Sequence, residues 1–347
     1  MAIDYFQELK KTSGGFWINN PTIDEIKKSL EQGAIAGTTN PAFCSRLISA
    51  ESERLTQIID DVIKEETDIE KAAEIVYQKA SQPFMDLFMD VYNESGGKYG
   101  YVTMQSDPRE DEDTDKVIAA VNRNRKLSPN YMAKIPMIVG SADAIEYCVE
   151  NNIPTCVTEV FAISQMIYSC ELYEKASKRS GHKPPYYITH ITGIFDEYLG
   201  KIVKRENIDI APEILEQAGL AIARKQYRMM KDRGSSAILL GGGARNLEHF
   251  TGLMGGDADV TINWSTAVEI MESPVQLEDE IHKETAAGVI EELRAKIPDF
   301  KKAYDDDGLA FDEFAGFGPV QLFRNAFLKG WYLLLAEIAG RKNYLAI

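Results

Sequence analysis

The chain is short of the residues that would make it a metalloprotein, a disulfide scaffold or a nucleic-acid binder. Of 347 residues only four are cysteine (Cys44, Cys148, Cys156, Cys170), and none form a C-x-x-C pair. Only four are histidine, and no His/Cys cluster has metal-ligand spacing. Neither a structural metal nor a disulfide framework is expected, and reduced thiols in a cytoplasmic protein are the simple expectation. Cations are in deficit: 38 Lys and Arg stand against 54 Asp and Glu, a net charge of −16. Such a field repels a phosphate backbone and an anionic bilayer, so neither nucleic acid nor membrane is an expected partner. Long apolar runs are missing too. The stretch Trp331-Tyr-Leu-Leu-Leu-Ala336 is far too short to span a bilayer, and Met1-Ala-Ile-Asp-Tyr-Phe6 lacks the basic region and apolar core of a signal peptide. There is no internal repeat or low-complexity segment.

What is present is ample for a core, with 44% hydrophobic residues. Short β-rich runs alternate with amphipathic helical stretches. Strands are expected at residues 15–19, 34–39, 99–105, 131–136, 154–158, 186–192, 237–241 and 259–262. Thr22, with Glu25 three residues on, reads as a capping box opening the first connecting helix, and residues 41–94 read as a long helical region. Eight strands separated by helices predict an α/β fold, a (β/α)₈ TIM barrel over about residues 15–275, with additional helices and a C-terminal helical extension over about 276–347, all one domain. The alternative, an open doubly wound sheet, lacks its glycine fingerprint after the first strand. In the extension, the acidic run at 305–313 has the wrong register for an EF-hand and reads as a solvated turn. Residues 323–338 are amphipathic and are expected to pack on the barrel or over its mouth.

Lys134 is the most informative residue. It stands in Tyr131-Met-Ala-Lys-Ile-Pro136, an apolar run that reads as a buried strand. An ammonium in an apolar interior must be paired or lose its proton, and a neutral lysine near pH 7 is a nucleophile able to form a Schiff base with a carbonyl. The alternative is a lysine that snorkels to the strand end as a surface charge. In a barrel the chemistry gathers at the C-terminal strand ends. Asn19, Thr38, Asn40, Gln105, Lys134, Thr158, His190 and Arg245 all lie at or just past such ends.

These segments resemble the transaldolase family of lysine-dependent aldolases. Gly37-Thr-Thr-Asn-Pro-Ala42 is similar to the family's second-strand motif and Gly100-Tyr-Val-Thr-Met-Gln-Ser-Asp-Pro-Arg109 to its third. Ala133-Lys-Ile-Pro136 matches the strand bearing the Schiff-base lysine, Cys156-Val-Thr-Glu-Val-Phe-Ala-Ile-Ser-Gln165 follows the fifth strand and helix, and Gly243-Ala-Arg-Asn246 matches the seventh-strand phosphate site. The resemblance implies that Lys134 attacks a ketose carbonyl, that the carbon–carbon bond beyond it breaks, and that a dihydroxyacetone unit is transferred to an aldose or released by water. It implies no cofactor and no metal. Thr38, Asn40, Thr158 and Thr189 would bind sugar hydroxyls and water, and Arg245 the anionic end of the substrate. The expected partner is thus a small, anionic sugar, with homo-oligomerisation left open.

The departures bear on catalysis. Asn19 stands where the family usually has the aspartate that takes up the hydroxyl proton. Gln105 occupies the place of a third-strand glutamate, as in the fructose-6-phosphate aldolase branch, and Ile191 that of a sixth-strand tyrosine. Ile194 stands where a second phosphate-binding arginine is expected. His190 and Glu159 are the new candidates for acid/base work. His190 is expected on the pocket side if Thr192 and Ile188 share its face; otherwise it is a hydrogen-bonded strand-end histidine. Glu159 turns away from the pocket if Thr158 points in. Besides transfer of a three-carbon unit, three outcomes stay open: aldolase-type cleavage, Schiff-base dehydration or isomerisation, and a sugar-phosphate-binding protein without activity.

Overall fold

A computed structural model of the protein describes residues 5–345; residues 1–4, part of the segment considered above for a leader, and 346–347 lie outside it. Eight parallel strands close in sequence order into a barrel: β1 (Gly15–Asn19), β2 (Ala36–Thr38), β3 (Val102–Gln105), β4 (Tyr131–Pro136), β5 (Thr155–Val160), β6 (Tyr186–His190), β7 (Ile238–Gly241) and β8 (Asp259–Ile262). β8 returns to β1 through pairs running from Gly15↔Asp259 to Ile18↔Ile262. The strands are buried along nearly their whole length, as parallel strands covered by helices must be.

Local signals account for the connecting helices. Thr22 and Glu25 form the expected reciprocal cap: Glu25 N donates to Thr22 Oγ at 3.3 Å and Thr22 N donates to Glu25 Oε2 at 2.8 Å. The helical region at 41–94 is three helices, Phe43–Ala50, Ser52–Ile63 and Ile69–Glu94, the last started by the Asp68 carboxylate accepting from Glu70 N and Lys71 N. The second and third strands begin later than expected, at Ala36 and Val102, and the sixth stops at His190 because Thr192 already begins a helix.

Inside the barrel, Trp17, Tyr101, Met132, Cys156, Tyr187 and Leu240 pack on one another. At the N-terminal end Trp17 Nε1 donates to Asp259 Oδ2 at 3.0 Å, so both polar groups are satisfied in an otherwise dry floor. After β8 come the helix Trp264–Glu272 and then, beyond the barrel, the helices Ala287–Lys296, Pro298–Tyr304 and Gly318–Leu345. The last lies against helices Phe43–Ala50, Ile69–Glu94 and Thr192–Glu206, anchored by the buried Trp331, whose ring stands 6.2 Å from that of Tyr77. The acidic run forms a turn in which Asp305 pairs with Arg294 and Lys301, followed by a short 3₁₀ turn, Phe311–Glu313. No helix of the described residues is long and apolar enough to cross a membrane.

Burial pushes the Asp259 carboxyl up to about 7, against the Trp17 hydrogen bond that favours its charged form. A carboxyl raised above its unfolded value of about 4 contributes stability that is full below that value and lost as pH rises through the folded one. Asp259→Asn keeps an oxygen for Trp17 without the charge. The Tm of this variant relative to the unsubstituted protein should therefore improve steadily between pH 5 and pH 8. A pH-independent difference would show that Asp259 titrates as it does in the unfolded chain.

Candidate active site

At the C-terminal mouth of the barrel lies a cavity of about 200 Å³ with Lys134 in its wall. β4 pairs Lys134 with Gln105 on one side and Cys156 on the other, so all three side chains point inward. The lysine is 6% exposed, and its Nζ faces the Phe327 ring at 5.8 Å. Among the described residues no carboxylate is close enough to form an ion pair with it. Burial lowers its pKa, while the nearby Cys156 and Glu159 favour the ammonium and resist that shift. The lysine therefore does not snorkel to the surface.

Polar residues from neighbouring strands surround the amine. Asn19 Nδ2 donates to Asn263 Oδ1 at 2.9 Å, and Thr38 Oγ donates to Asn19 Oδ1 at 2.9 Å. Thr38 and Thr261 hydroxyls are 2.7 Å apart. Asn40 accepts from Ala42 N at 3.0 Å and keeps its amide N–H groups for the cavity, which Thr189 also lines, 3.1 Å from the Cys156 sulfur. Five expected residues, Asn19, Thr38, Asn40, Thr189 and Arg245, thus share one cavity with Lys134.

Arg245 is less free than the sequence suggested. Its Nε donates to Glu197 at 3.2 Å and its Nη1 to the Gly243 carbonyl at 3.2 Å. Its loop is fixed from below: Arg245 N donates to Nδ1 of the buried His249, whose Nε2 then carries the proton donated to Asp196 at 2.9 Å. The loop lies so close to helix Thr192–Glu206 that a Cβ on Gly193 would meet the Gly243 carbonyl at 2.2 Å. Ile191 and Ile194 present an apolar wall beside Arg245.

His190 corrects an expectation. Tyr187 belongs to the barrel interior and Thr189 lines the cavity, so alternation turns His190 outward. Its ring lies 3.1 Å from the carbonyls of both Val160 and Gly219, is fully buried, and is pushed down to about 4 by that burial. It tethers β5 to the helix Ala218–Asp232 and does not reach the cavity.

Glu159 comes inward instead. The β5–β6 register shifts between Val157 and Val160, and Glu159 takes a left-handed φ of 60°. An extra residue of this kind re-aims a side chain, so simple alternation fails here. Gln105 Nε2 donates to Glu159 Oε1 at 3.3 Å. Burial holds the carboxyl up at about 7, opposed by Gln105, Lys134 and Arg324. Gln105 and Glu159 sit behind the cavity wall rather than in it, and Thr158 is buried with its hydroxyl unpartnered.

Sequence reasoning missed Asn263, Thr261 and Cys156. Asn263 directly follows β8 and was open to the strand-end rule that found Asn19. Phe323 and Phe327, in the stretch expected to pack near the mouth, close the cavity from the C-terminal helix with rings 4.3 Å apart. Among the described residues no group of three or more His, Cys, Asp or Glu is placed to hold a metal ion.

Comparison with known proteins agrees with this arrangement. The family model described as Transaldolase/Fructose-6-phosphate aldolase matches residues 16–313. A transaldolase of Thiobacillus denitrificans is 25% identical over 167 residues, 46% of each chain. A transaldolase of Mycobacterium bovis is 23% identical over 235 residues, covering 62% of this chain and 61% of that one. One of Mycolicibacterium smegmatis is 26% identical over 209 residues, covering 56% and 55%. The chain thus aligns with about half to three-fifths of the length of these relatives. The match to the family model spans most of the barrel and runs into the helices beyond it, and on that ground the chain belongs to the transaldolase/fructose-6-phosphate aldolase family.

Proposed function

We propose that the protein is a transaldolase-like enzyme in which Lys134 forms a Schiff base with an anionic ketose and a three-carbon dihydroxyacetone unit is transferred or released. The observation that carries this reading is a buried lysine, without an ion-pair partner, facing a cavity lined with hydroxyl and amide groups. Binding alone would not call for an amine that burial drives toward its neutral form.

Protons can be accounted for with one carboxyl. Neutral Lys134 adds to the ketose carbonyl to give a carbinolamine. Glu159, protonated and set behind the cavity wall, passes its proton through an intervening water to the departing hydroxyl, which leaves as water, and the iminium and the Glu159 carboxylate remain. The iminium draws the electron pair of the next carbon–carbon bond, the aldehyde fragment departs, and the proton of its hydroxyl returns through water to Glu159. The enamine left on Lys134 then meets an acceptor aldehyde or a proton. Asn19, Thr38 and Asn40 orient hydroxyls and water but hold no proton. Arg245 takes the anionic end, exchanging Glu197 for substrate. The apolar Ile194 in place of a second cation suits a substrate gripped by a single guanidinium.

Borohydride added with dihydroxyacetone or a ketose phosphate should fix a fragment on the Lys134 peptide and leave Lys134→Met unlabelled. Label on another lysine, or none, would overturn this reading. Glu159→Gln should slow turnover by about 10²–10⁴, the usual contribution of a positioned acid or base. It should also remove a fall in rate as pH rises through about 7, because the protonated acid is the active form. An unaltered profile would remove Glu159 from the mechanism. For Arg245→Ala, KM should rise much more for a phosphorylated ketose than for its neutral analogue; equal rises would count against anchoring.

A further inference from the structure

Behind Glu159 lies a second carboxyl that the mechanism above leaves unused. Asp111, in the loop after β3, is 1% exposed, and neither of its carboxyl oxygens has a hydrogen-bond partner. Gln105 stands between the two acids: its Nε2 donates to Glu159, its side chain also bears on Asp111, and its own Oε1 is buried without a donor. The region therefore holds orphaned carboxyl and amide acceptors that no neighbouring donor meets, although the Thr158 hydroxyl beside Glu159 is unpartnered too. Two buried carboxylates so placed cannot both ionise cheaply, and unpaired buried charge is the costliest arrangement available. A proton on Asp111 turns one orphan acceptor into a donor and supplies what the buried oxygens lack.

We infer that Asp111 and Glu159 form one buried carboxyl pair that retains a proton when ordinary carboxyls are ionised, with Arg324 of the C-terminal helix as its counter-charge. The inference rests on Glu159 as the proton donor in the reading above and makes Asp111 and Arg324 positioning residues for it. Arg324 reaches the pair from helix Gly318–Leu345: its guanidinium donates to the Pro108 carbonyl at 3.4 Å and to Glu112. It is mostly buried, and its charge favours the ionised form of both acids. The other charged or titratable groups bearing on the pair are Lys134 of β4 and Asp107 of the β3 loop, with Cys156 of β5 next to the lysine and Glu112 on the far side of Arg324. Burial, and then repulsion by Glu159, raise Asp111 well above the ordinary carboxyl range, whereas Glu159 lies at about 7. Burial and mutual repulsion act on both acids, so the pair gives up one proton before the other and the second is held beside the newly formed carboxylate. The helix that carries Phe327 over Lys134 also carries the cation that sets the acid, so amine and acid depend on the same element.

Infrared difference spectra of the full-length protein test the pair without relying on turnover. At pH 8 a protonated-carboxyl band should be present and should vanish in Asp111→Asn. No such band, or a band unchanged by the substitution, would overturn the inference. Arg324→Gln, useful if Asp111→Asn fails to fold, provides a second test. Loss of the cation disfavours the carboxylate, so the alkaline fall in rate should move up by about one pH unit, a tenfold change in the ionised fraction at a given pH. Arg324→Lys should bring it back. A lower kcat with the profile in place would mean that Arg324 only supports the fold. Failure to trap a fragment on Lys134 would instead overturn the function proposed above, with the infrared result still reporting on the pair.

Discussion

Everything at the barrel mouth depends on placing one ammonium-bearing side chain where its charge is poorly solvated. Below Lys134 the barrel is filled by Trp17, Met132 and Tyr187; above it lies the Phe327 ring. The side chain is left only slightly exposed, at the cavity, and no carboxylate pairs with it among the described residues. The remaining influences are soft ones: a ring face, a thiol and a carboxyl that itself prefers to be protonated. Together they leave the amine without the close ion pair that would fix it as a cation.

Charge is handled locally at the other side of the cavity as well. A chain of net charge −16 offers little long-range attraction to any anion. The cation at this cavity is Arg245, which is held by Glu197 and by its own loop carbonyls. An anion bound there would have to displace Glu197 from the guanidinium. The His249–Asp196 pair holds the loop so that the exchange moves a side chain and leaves the backbone in place.

Much of this was legible in the sequence, for physical reasons. Parallel strands covered on both sides must be apolar and short, which exposed all eight of them. Polar residues at the ends of such strands have few destinations other than the barrel mouth, which exposed Asn19, Thr38, Asn40 and Arg245. The Thr22–Glu25 cap is local chemistry and was readable residue by residue. The errors came where a rule of alternation was carried across an irregularity or had no fixed starting face. His190 was set on the wrong face because the inward members of β6 are Tyr187 and Thr189. Glu159 was a candidate whose direction hung on whether Thr158 points in, and the register shift in β5 breaks the alternation that would have decided it. Asp111 and Arg324 were invisible for a different reason. They lie 213 residues apart in sequence, and only the closed fold, with the C-terminal helix laid over the mouth, brings them to the same carboxyl.

The irregularity in β5 has a consequence for how such barrels diversify. Here a carboxyl is turned toward Gln105, near enough to Lys134 to favour its ammonium, through a change in chain length against the neighbouring strand rather than through a change of residue type at an inward position. One residue fewer between Val157 and Val160 would restore plain alternation and leave a single residue at the inward position where the chain now has two, Thr158 and Glu159. An alignment that scores columns would record a single gap there. Chemically, that gap would decide whether the strand beside Lys134 brings both a hydroxyl and a carboxyl or only one of the two.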